Sequence, residues 1–239
     1  MRYLIKFSYD GTLFHGFQRQ KDVKNVQGLL ENDLSNYFNE EIVIKGSGRT
    51  DAGVHAKCQC AHFDINKLIN NKDIKNINKL LNKEIVINKY VLVNDNFHAR
   101  HDVKKKTYIY KINVGKYKSN YEGYYYQIKY NLDIKKMREA SKVFIGVHDY
   151  RNFVSGYRDN YESVIYDIKI IKIGNILTFK FVGAGFYRYM VRHLVGAILD
   201  VGKGKADINT IRGMIDNKEF TKKLSVVPAC GLYLIDIKY

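Results

Sequence analysis

The sequence has few of the residues that stiffen or cross-link a chain: one proline, Pro228, and three cysteines among 239 residues. A single proline excludes a proline-rich linker between domains. Three cysteines are too few for a disulfide scaffold, so they indicate a reducing compartment. No apolar run approaches the roughly 20 residues of a membrane span, and the alternating first residues do not resemble a signal peptide. The composition therefore predicts a soluble, cytoplasmic protein.

The charge balance is strongly basic, with a formal net charge of +16 and a pI of about 9.5. Hydrophobic residues make up 46% of the chain, which is typical of a globular protein. A basic surplus of this size favours a nucleic acid or another anionic surface as partner. Because lysine, asparagine, isoleucine and tyrosine are all abundant, the charge supports an RNA partner but does not establish one.

Two of the cysteines are close in sequence, as Cys58-Gln59-Cys60. This spacing is not that of a structural zinc site. We interpret both as small buried or half-buried strand residues, and a metal site completed by His62 is the alternative.

Hydrophobic periodicity predicts a series of strands and helices. The strands are expected over residues 1–9, 41–45, 56–65, 85–94, 104–114, 163–173, 175–182 and 231–239. The helices are expected over residues 26–38 after an Asn25 cap, then 66–83, 133–145, 186–200 and 208–217. A Tyr/Lys/Asn-rich loop is expected over residues 114–132. The pattern fits two β-α-β units in the first part of the chain, with an N-terminal α/β lobe over 1–100 and a C-terminal α/β lobe over 101–239.

The stretch from Gly46 to Ala56 concentrates the chemistry of the sequence. Its three glycines allow a tight turn and close approach of another chain. Arg49 can bind a phosphate or stack on a base, and Asp51, the only carboxylate in the stretch, is a potential nucleophile. The structural alternative is that Asp51 ends the turn or caps a helix.

These residues resemble the catalytic motif of the TruA family of tRNA pseudouridine synthases, and further matches follow in order along the chain. The matching segments are Tyr9-Asp10-Gly11, Phe14-His15-Gly16-Phe17-Gln18, Val26-Gln27-Gly28, Gly48-Arg49-Thr50-Asp51-Ala52-Gly53-Val54-His55-Ala56, Phe97-His98-Ala99-Arg100, Tyr108-Ile109-Tyr110, Phe144-Ile145-Gly146-Val147-His148-Asp149, Phe186-Tyr187-Arg188-Tyr189-Met190-Val191-Arg192 with Gly196, Pro228-Ala229 and Gly231-Leu232.

The resemblance implies an isomerase that converts uridine to pseudouridine in the anticodon stem-loop of tRNA, at positions 38 to 40, without cofactor or metal. It also implies an α+β fold of two lobes on a central mixed, largely antiparallel sheet flanked by helices, and a homodimer. The same chemistry on ribosomal RNA and a non-catalytic RNA-binding module are the alternatives.

The resemblance also implies a role for individual residues. Asp51 takes the position of the essential aspartate, and whether it attacks C1′, deprotonates near C1′ or adds to C6 stays open. Tyr108 matches the tyrosine that stacks on the uracil and takes the C5 proton, and Arg192 matches the arginine that pairs with the aspartate. Arg49 matches the arginine that fills the stack left by a flipped base. The remaining residues expected to bind substrate are Gly48, Thr50, His55, Arg100, Lys106 and Arg188.

The sequence departs from the family pattern at three places. After the Phe-His-Ala-Arg motif, the usual residues are replaced by His101, Asp102 and Val103. Lys106 stands where the family commonly has arginine, and the family often has another arginine near the position of Ser163. These differences leave the reaction expected from the motif unchanged and bear on the RNA contacts.

Overall fold

The computed structural model describes residues 1–216 and 224–239, and this part of the chain holds ten strands and five α-helices. The strands are β1 (Arg2–Tyr9), β2 (Lys45–Gly46), β3 (His55–Asp64), β4 (Ile85–Val93), β5 (Lys105–Asn113), β6 (Tyr126–Gln127), β7 (Gly146–Asp149), β8 (Glu162–Ile173), β9 (Ile176–Gly183) and β10 (Leu232–Lys238). The helices are α1 (Val26–Phe38), α2 (Asn71–Leu80), α3 (Ile134–Lys142), α4 (Met190–Gly202) and α5 (Ile208–Asp216). None of these helices has the length and hydropathy needed to cross a membrane.

The chain forms two compact units, and each combines strands with helices. The first unit contains Met1–Lys104 together with Tyr233–Tyr239, and the second contains Lys105–Leu232. The sequence placed the division at Arg100 and assigned the last strand to the C-terminal lobe. In the structure Tyr233–Tyr239 belong to the first unit, because β10 pairs with β3.

The sheet of the first unit has the order β4-β1-β3-β10, with β2 paired to β3. Its pairings are antiparallel except that of β10 with β3. The first predicted β-α-β unit, β1-α1-β2, is present in split form, since both strands are antiparallel to β3 and therefore parallel to each other. The second, β3-α2-β4, is present in split form. Both strands are antiparallel to β1 and therefore parallel to each other, with β1 between them.

The two helices of this unit begin at asparagine caps. The Asn25 side chain accepts a hydrogen bond from the Gly28 amide at 2.8 Å, as the sequence predicted for α1. Helix α2 is shorter than the predicted 66–83. Asn70 forms a capping box with Asp73 and starts the helix there, and left-handed backbone at residues 82 and 83 lies just beyond its end.

The predicted strand over 41–45 is observed only at its end, as part of β2. Two side chains of α1 take the amides that a neighbouring strand would use. The Ile42 amide donates to Ser35 Oγ at 2.9 Å, and the Ile44 amide donates to Glu31 Oε1 at 3.0 Å. Residues 41–44 are therefore bonded to the helix, with both isoleucines buried, and only Lys45 of the predicted strand joins the sheet.

The sheet of the second unit has the order β5-β9-β8-β7, with β6 paired in parallel to β5. The predicted hairpin of β8 and β9 is confirmed, and Gly174 at its turn has a φ of +56°. The short strands β6 and β7 were not predicted, because two and four residues are too few to show a period.

The strongest predicted helix, 186–200, is observed as α4 and starts four residues later. Tyr189 has a left-handed φ of +64° and precedes the first helical residue, Met190. Eleven of the thirteen residues of α4 are buried, in accordance with its apolar stripe. Helix α5 agrees with the predicted 208–217 except at Asn217, which lies outside the described residues.

The buried carboxylate of Glu31 should be required for stability, because it accepts the Ile44 amide. Glu31→Leu leaves that amide without an acceptor, and we expect the free energy of unfolding to fall by about 1–3 kcal/mol. Glu31→Gln keeps an acceptor oxygen and is the matched control, expected to lose clearly less. Urea titration followed by circular dichroism measures both. Equal losses for the two variants would contradict this account of the 41–45 segment.

Candidate active site

Residues 47–54 of the glycine-rich stretch form the loop between β2 and β3, which is bound to the sheet at its base. The Ser47 amide donates to the Cys60 carbonyl at 2.8 Å, and Ser47 Oγ donates to Gln59 Oε1 at 2.7 Å. The fully buried Gln59 side chain also donates to the Gly48 carbonyl at 3.2 Å. One buried amide thus holds the start of the loop. The sequence showed Gln59 only as the residue between two cysteines.

The opening motif of the chain supports the centre of the loop. The Tyr9 hydroxyl and Thr50 Oγ1 share a hydrogen bond of 2.8 Å, and the Phe17 amide donates to the Thr50 carbonyl at 3.1 Å. Burial raises the pKa of Tyr9 to about 12, so its phenol stays protonated at neutral pH. Thr50 is buried by these contacts and is one residue before Asp51.

Two glycines of the opening motif allow this close packing. A Cβ at Gly11 would overlap the carbonyl oxygen of Val54. Gly16 has a φ of +90°, and a Cβ there would lie 2.9 Å from the Thr50 carbonyl oxygen. Both positions therefore require glycine. The sequence singled out the motif, but not its role as the support of the loop.

The supported loop presents Arg49 and Asp51 on either side of the buried Thr50. Arg49 is exposed and Asp51 is half-buried. The Val54 amide donates to the Asp51 carbonyl at 3.1 Å, and this closes a turn in which Gly53 has a φ of +78°. The loop thus fixes the backbone of the predicted nucleophile and leaves the predicted base-flipping cation in solvent.

His55 lies inside the first unit rather than at its surface. Its Nδ1 accepts a hydrogen bond from the Gly11 amide at 3.1 Å, and its ring stacks on Tyr233 with 4.4 Å between centroids. The ring thereby links the loop, the opening motif and β10. Its expected contact with substrate stays a prediction.

Arg100 is exposed in the turn that follows β4, and a buried histidine supports that turn. Its amide donates to His98 Nδ1 at 3.1 Å, and the Ala99 amide donates to His62 Nδ1 at 3.0 Å. Burial, with the nearby charges of Arg2 and His98, lowers the pKa of His62 to about 4. His62 is therefore neutral at pH 7 and able to accept this bond.

The two neighbouring cysteines lie as expected, with Cys60 buried and Cys58 half-buried. Within residues 1–216 and 224–239, no group of three or more side chains that could bind a metal is found.

Tyr108 and Lys106 lie on β5 of the second unit. Tyr108 is buried and contacts Phe186 edge to face, with 5.3 Å between ring centroids. Lys106 is half-buried, opposite Gly183 in the pairing with β9. The position of Tyr108 is thus fixed from two sides, by the strand and by the turn before α4.

Arg192 and Arg188 meet at one aromatic ring at the start of α4. The guanidinium of Arg192 lies 4.2 Å from the Tyr189 ring centroid and that of Arg188 lies 5.4 Å from it. Arg192 Nε also donates to the Val227 carbonyl at 2.8 Å. Arg188 is exposed, whereas Arg192 is half-buried. The left-handed Tyr189, which sequence reasoning did not identify, therefore orients both arginines.

The predicted site residues are shared between the two units. The first unit contains Gly48, Arg49, Thr50, Asp51, His55 and Arg100, and the second contains Lys106, Tyr108, Arg188 and Arg192. In the first unit Arg49, Thr50 and Asp51 share one loop, and in the second Arg188 and Arg192 share the Tyr189 ring. The predicted pairing of Asp51 with Arg192 involves both units and stays a prediction.

A family model described as tRNA pseudouridine synthase matches residues 5–103 and 140–239. The chain belongs to the tRNA pseudouridine synthase family. Among its relatives, proteins named tRNA pseudouridine synthase A from Lactobacillus helveticus and Pseudothermotoga lettingae are each 37% identical to it. The one from Mycoplasma genitalium is 36% identical. All of this chain is covered in each comparison, with 94%, 99% and 98% of the respective relative.

Similarity to solved structures is weaker. One match is a chain of a Cbf5-Nop10-Gar1 complex, with 15% identity and a TM-score of 0.35. Another is a chain of an H/ACA RNP bound to a substrate RNA containing 2′-deoxyuridine, with 18% identity and a TM-score of 0.33. Each alignment covers 71% of this chain, and this chain spans only 39% and 38% of those two chains.

The close approach at Gly16 gives a test of the support beneath the loop. Gly16→Ala adds a methyl group both to a left-handed backbone and against the Thr50 carbonyl. Gly156 has nearly the same φ, +89°, and no atom lies within 4 Å of the point where an added methyl group would stand, so Gly156→Ala carries the backbone cost alone. We expect Gly156→Ala to lose about 1–2 kcal/mol of unfolding free energy and Gly16→Ala about 1–3 kcal/mol more.

Thermal denaturation and amide hydrogen exchange at Phe17 measure these effects. Exchange at Phe17 should accelerate in Gly16→Ala and stay unchanged in Gly156→Ala. If the two variants lose equal stability and leave Phe17 equally protected, the loop does not depend on this contact.

Proposed function

We propose that this chain isomerises uridine to pseudouridine in the anticodon stem-loop of tRNA, with Asp51 as the catalytic carboxylate. The observation that carries the proposal is the loop 48–56, which reproduces the family motif and is held in place by Tyr9, Phe17 and Gln59. The full-length similarity to enzymes named tRNA pseudouridine synthase A supports the same reaction class.

The reaction needs one well-placed carboxylate and no net transfer of atoms to the protein. The bond between C1′ and N1 breaks, the uracil rotates, C1′ joins C5, and the proton on C5 is lost while N1 gains one. Asp51 is the only carboxylate of the loop, and carboxylates are competent nucleophiles at sugar carbons. Attack at C1′, deprotonation near C1′ and addition to C6 are all compatible with this placement.

A non-catalytic RNA-binding module is less well supported, because a carboxylate facing a polyanion opposes binding unless it takes part in the reaction. Modification of ribosomal RNA is the second enzymatic candidate. It keeps the same residues and is distinguished only by the substrate test below.

The cationic and aromatic residues provide the other roles. Arg49, exposed beside the carboxylate, fills the stack that the flipped uridine leaves. Tyr108 stacks on the uracil and takes the C5 proton. Arg192, oriented by Tyr189 and the Val227 carbonyl, keeps Asp51 ionised. Gly48, Thr50, His55, Arg100, Lys106 and Arg188 complete the proposed substrate contacts.

We place the enzyme in the cytoplasm. In support of this, its three cysteines are free thiols, which is typical of proteins in a reducing compartment. We also propose that it acts as a homodimer on the anticodon arm, at positions 38 to 40. The formal net charge of +16 supports recognition of the phosphate backbone of many tRNAs rather than of one sequence.

The decisive experiment incubates the purified protein with unmodified tRNA transcripts and, separately, with ribosomal RNA, and maps pseudouridine in each. We expect product in the anticodon arm of several tRNAs. Asp51→Asn should retain less than about 1% of the activity, since loss of an essential nucleophile costs orders of magnitude, and its affinity for tRNA should not fall. Asp33→Asn, which removes a half-buried carboxylate from α1, is the matched control and should remain active.

Each unexpected outcome has a defined meaning. Product in ribosomal RNA alone would show that the reaction is right and the substrate wrong. Full activity of Asp51→Asn would contradict the assignment of the carboxylate.

The hydroxyl of Tyr108 is the second test. Tyr108→Phe keeps the ring and its contact with Phe186, so tRNA affinity should change little while the single-turnover rate falls by about 100-fold or more, the range of general base catalysis. Tyr166→Phe, on β8, removes a hydroxyl from an exposed ring and serves as control. A wild-type rate in Tyr108→Phe would leave Tyr108 with stacking alone and assign the proton to another group.

A further inference from the structure

A second surface of the second unit combines aromatic rings with positive charge. It is formed by the loop after β5, residues 114–130, together with Lys111 and Lys203. The loop contains six of the 20 tyrosines of the chain, at positions 117, 121, 124, 125, 126 and 130. It also contains Lys116, Lys118 and Lys129 against a single acidic residue, Glu122. We call this the tyrosine-lysine surface.

The side-chain amides of Asn113 and Gln127 bind the backbone of the loop. Asn113, at the end of β5, is buried and donates to the Lys116 carbonyl at 2.9 Å and to Gln127 Oε1 at 3.0 Å. Gln127 in turn donates to the Lys118 carbonyl and accepts from the Lys118 amide, both at 2.9 Å. These bonds join the start of the loop, at Lys116 and Lys118, to Gln127 near its end.

Lysine ammonium groups lie against the faces of several of these rings. Lys118 Nζ is 5.0 Å from the Tyr121 ring centroid, and Tyr121 stacks on Tyr125 with 4.3 Å between centroids. Lys203 Nζ, from the residue after α4, is 4.5 Å from the Tyr130 centroid. These contacts orient the rings and keep positive charge beside them.

Two of the rings remain largely in solvent despite these contacts. Tyr117 is 67% exposed and Tyr130 is 51% exposed. The Tyr117 hydroxyl donates to Glu122 at 3.0 Å, which engages the only acidic group of the loop. Exposed aromatic faces beside lysines are what proteins use to bind unpaired nucleotides, since bases stack on the rings and phosphates attract the ammonium groups.

The family motifs do not account for this surface. The motifs shared with the family end at Tyr110 and resume at Phe144, so residues 114–130 lie between them. Asn113 and Tyr108 are five positions apart along β5, which corresponds to roughly 17 Å. The surface is thus separate from Tyr108 but within reach of an RNA that occupies the proposed active site.

We infer that the tyrosine-lysine surface binds a second segment of the substrate RNA, with unpaired bases on Tyr117 and Tyr130 and phosphates at Lys116 and Lys129. This inference rests on the proposed function. RNA is favoured over a protein partner because the loop is rich in lysine and has one acidic residue, which is already hydrogen-bonded.

The test measures binding of an unmodified tRNA transcript and the kinetics of pseudouridine formation for Tyr117→Ala/Tyr130→Ala. We expect Kd and KM to rise about fivefold or more, the effect of losing one to two stacked bases, while kcat is unchanged. Tyr166→Ala is the matched control, because Tyr166 is 50% exposed on β8 of the same unit. Its Kd and KM should equal those of the wild type.

The lysines are tested by the salt dependence of binding. Lys116→Gln/Lys129→Gln should lower the slope of log K against log salt concentration by about 0.7 for each phosphate that the variant no longer binds. Lys172→Gln, which removes an exposed lysine of β8, should leave the slope unchanged. Unchanged Kd and slope in both surface variants, with an active wild type, would overturn the inference and leave the proposed function intact.

Two further outcomes separate the alternatives. If the wild type binds tRNA but forms no pseudouridine, the proposed function fails, and the Kd of the variants still decides the inference. If the tyrosine variant changes the sedimentation coefficient of the RNA-free protein, the surface joins two copies of this chain, and the inference is wrong.

Discussion

The structure of the candidate site depends on the packing of the opening segment, residues 9–17, beneath the glycine-rich loop. Thr50 is held from two directions, by the Tyr9 hydroxyl and by the Phe17 amide, and this fixes the backbone next to Asp51. The contact is possible only where no side chain stands between the two segments, which is why Gly11 and Gly16 are required. A carboxylate on a loop without such support would be placed less precisely, since loops are the mobile parts of a fold.

In the second unit, a strand and a helix position the predicted site residues. Tyr108 is placed by β5 and by its ring contact with Phe186, while Arg192 is placed by α4, the Tyr189 ring and the Val227 carbonyl. The left-handed Tyr189 delays the start of α4 and puts its own ring against two guanidinium groups. In this way a local departure from helical geometry determines where the arginines lie.

Sequence reasoning was most accurate where a segment shows one strong period. It gave β1, β5, the β8-β9 hairpin and most of α4 to within a few residues, because alternating or helical apolar stripes report burial directly. It failed over 41–45, where the strand-like pattern is real but the amides of Ile42 and Ile44 bind side chains of α1. The predicted start of α2 at residue 66 was wrong for a similar reason. The Asn70 side chain caps the helix, which starts only at Asn71, and the apolar pattern does not show this cap.

The amino-acid sequence by itself determined the family, and it supplied the reaction class and the residues that we propose for the reaction, because the motif around Asp51 is a linear pattern. It did not reveal Gln59 beneath the loop, His62 behind Arg100, or the return of Tyr233–Tyr239 to the first unit. Those features were decided by the tertiary structure. Each is a hydrogen bond or strand pairing between residues distant in sequence, and no local pattern of residues encodes such a partner.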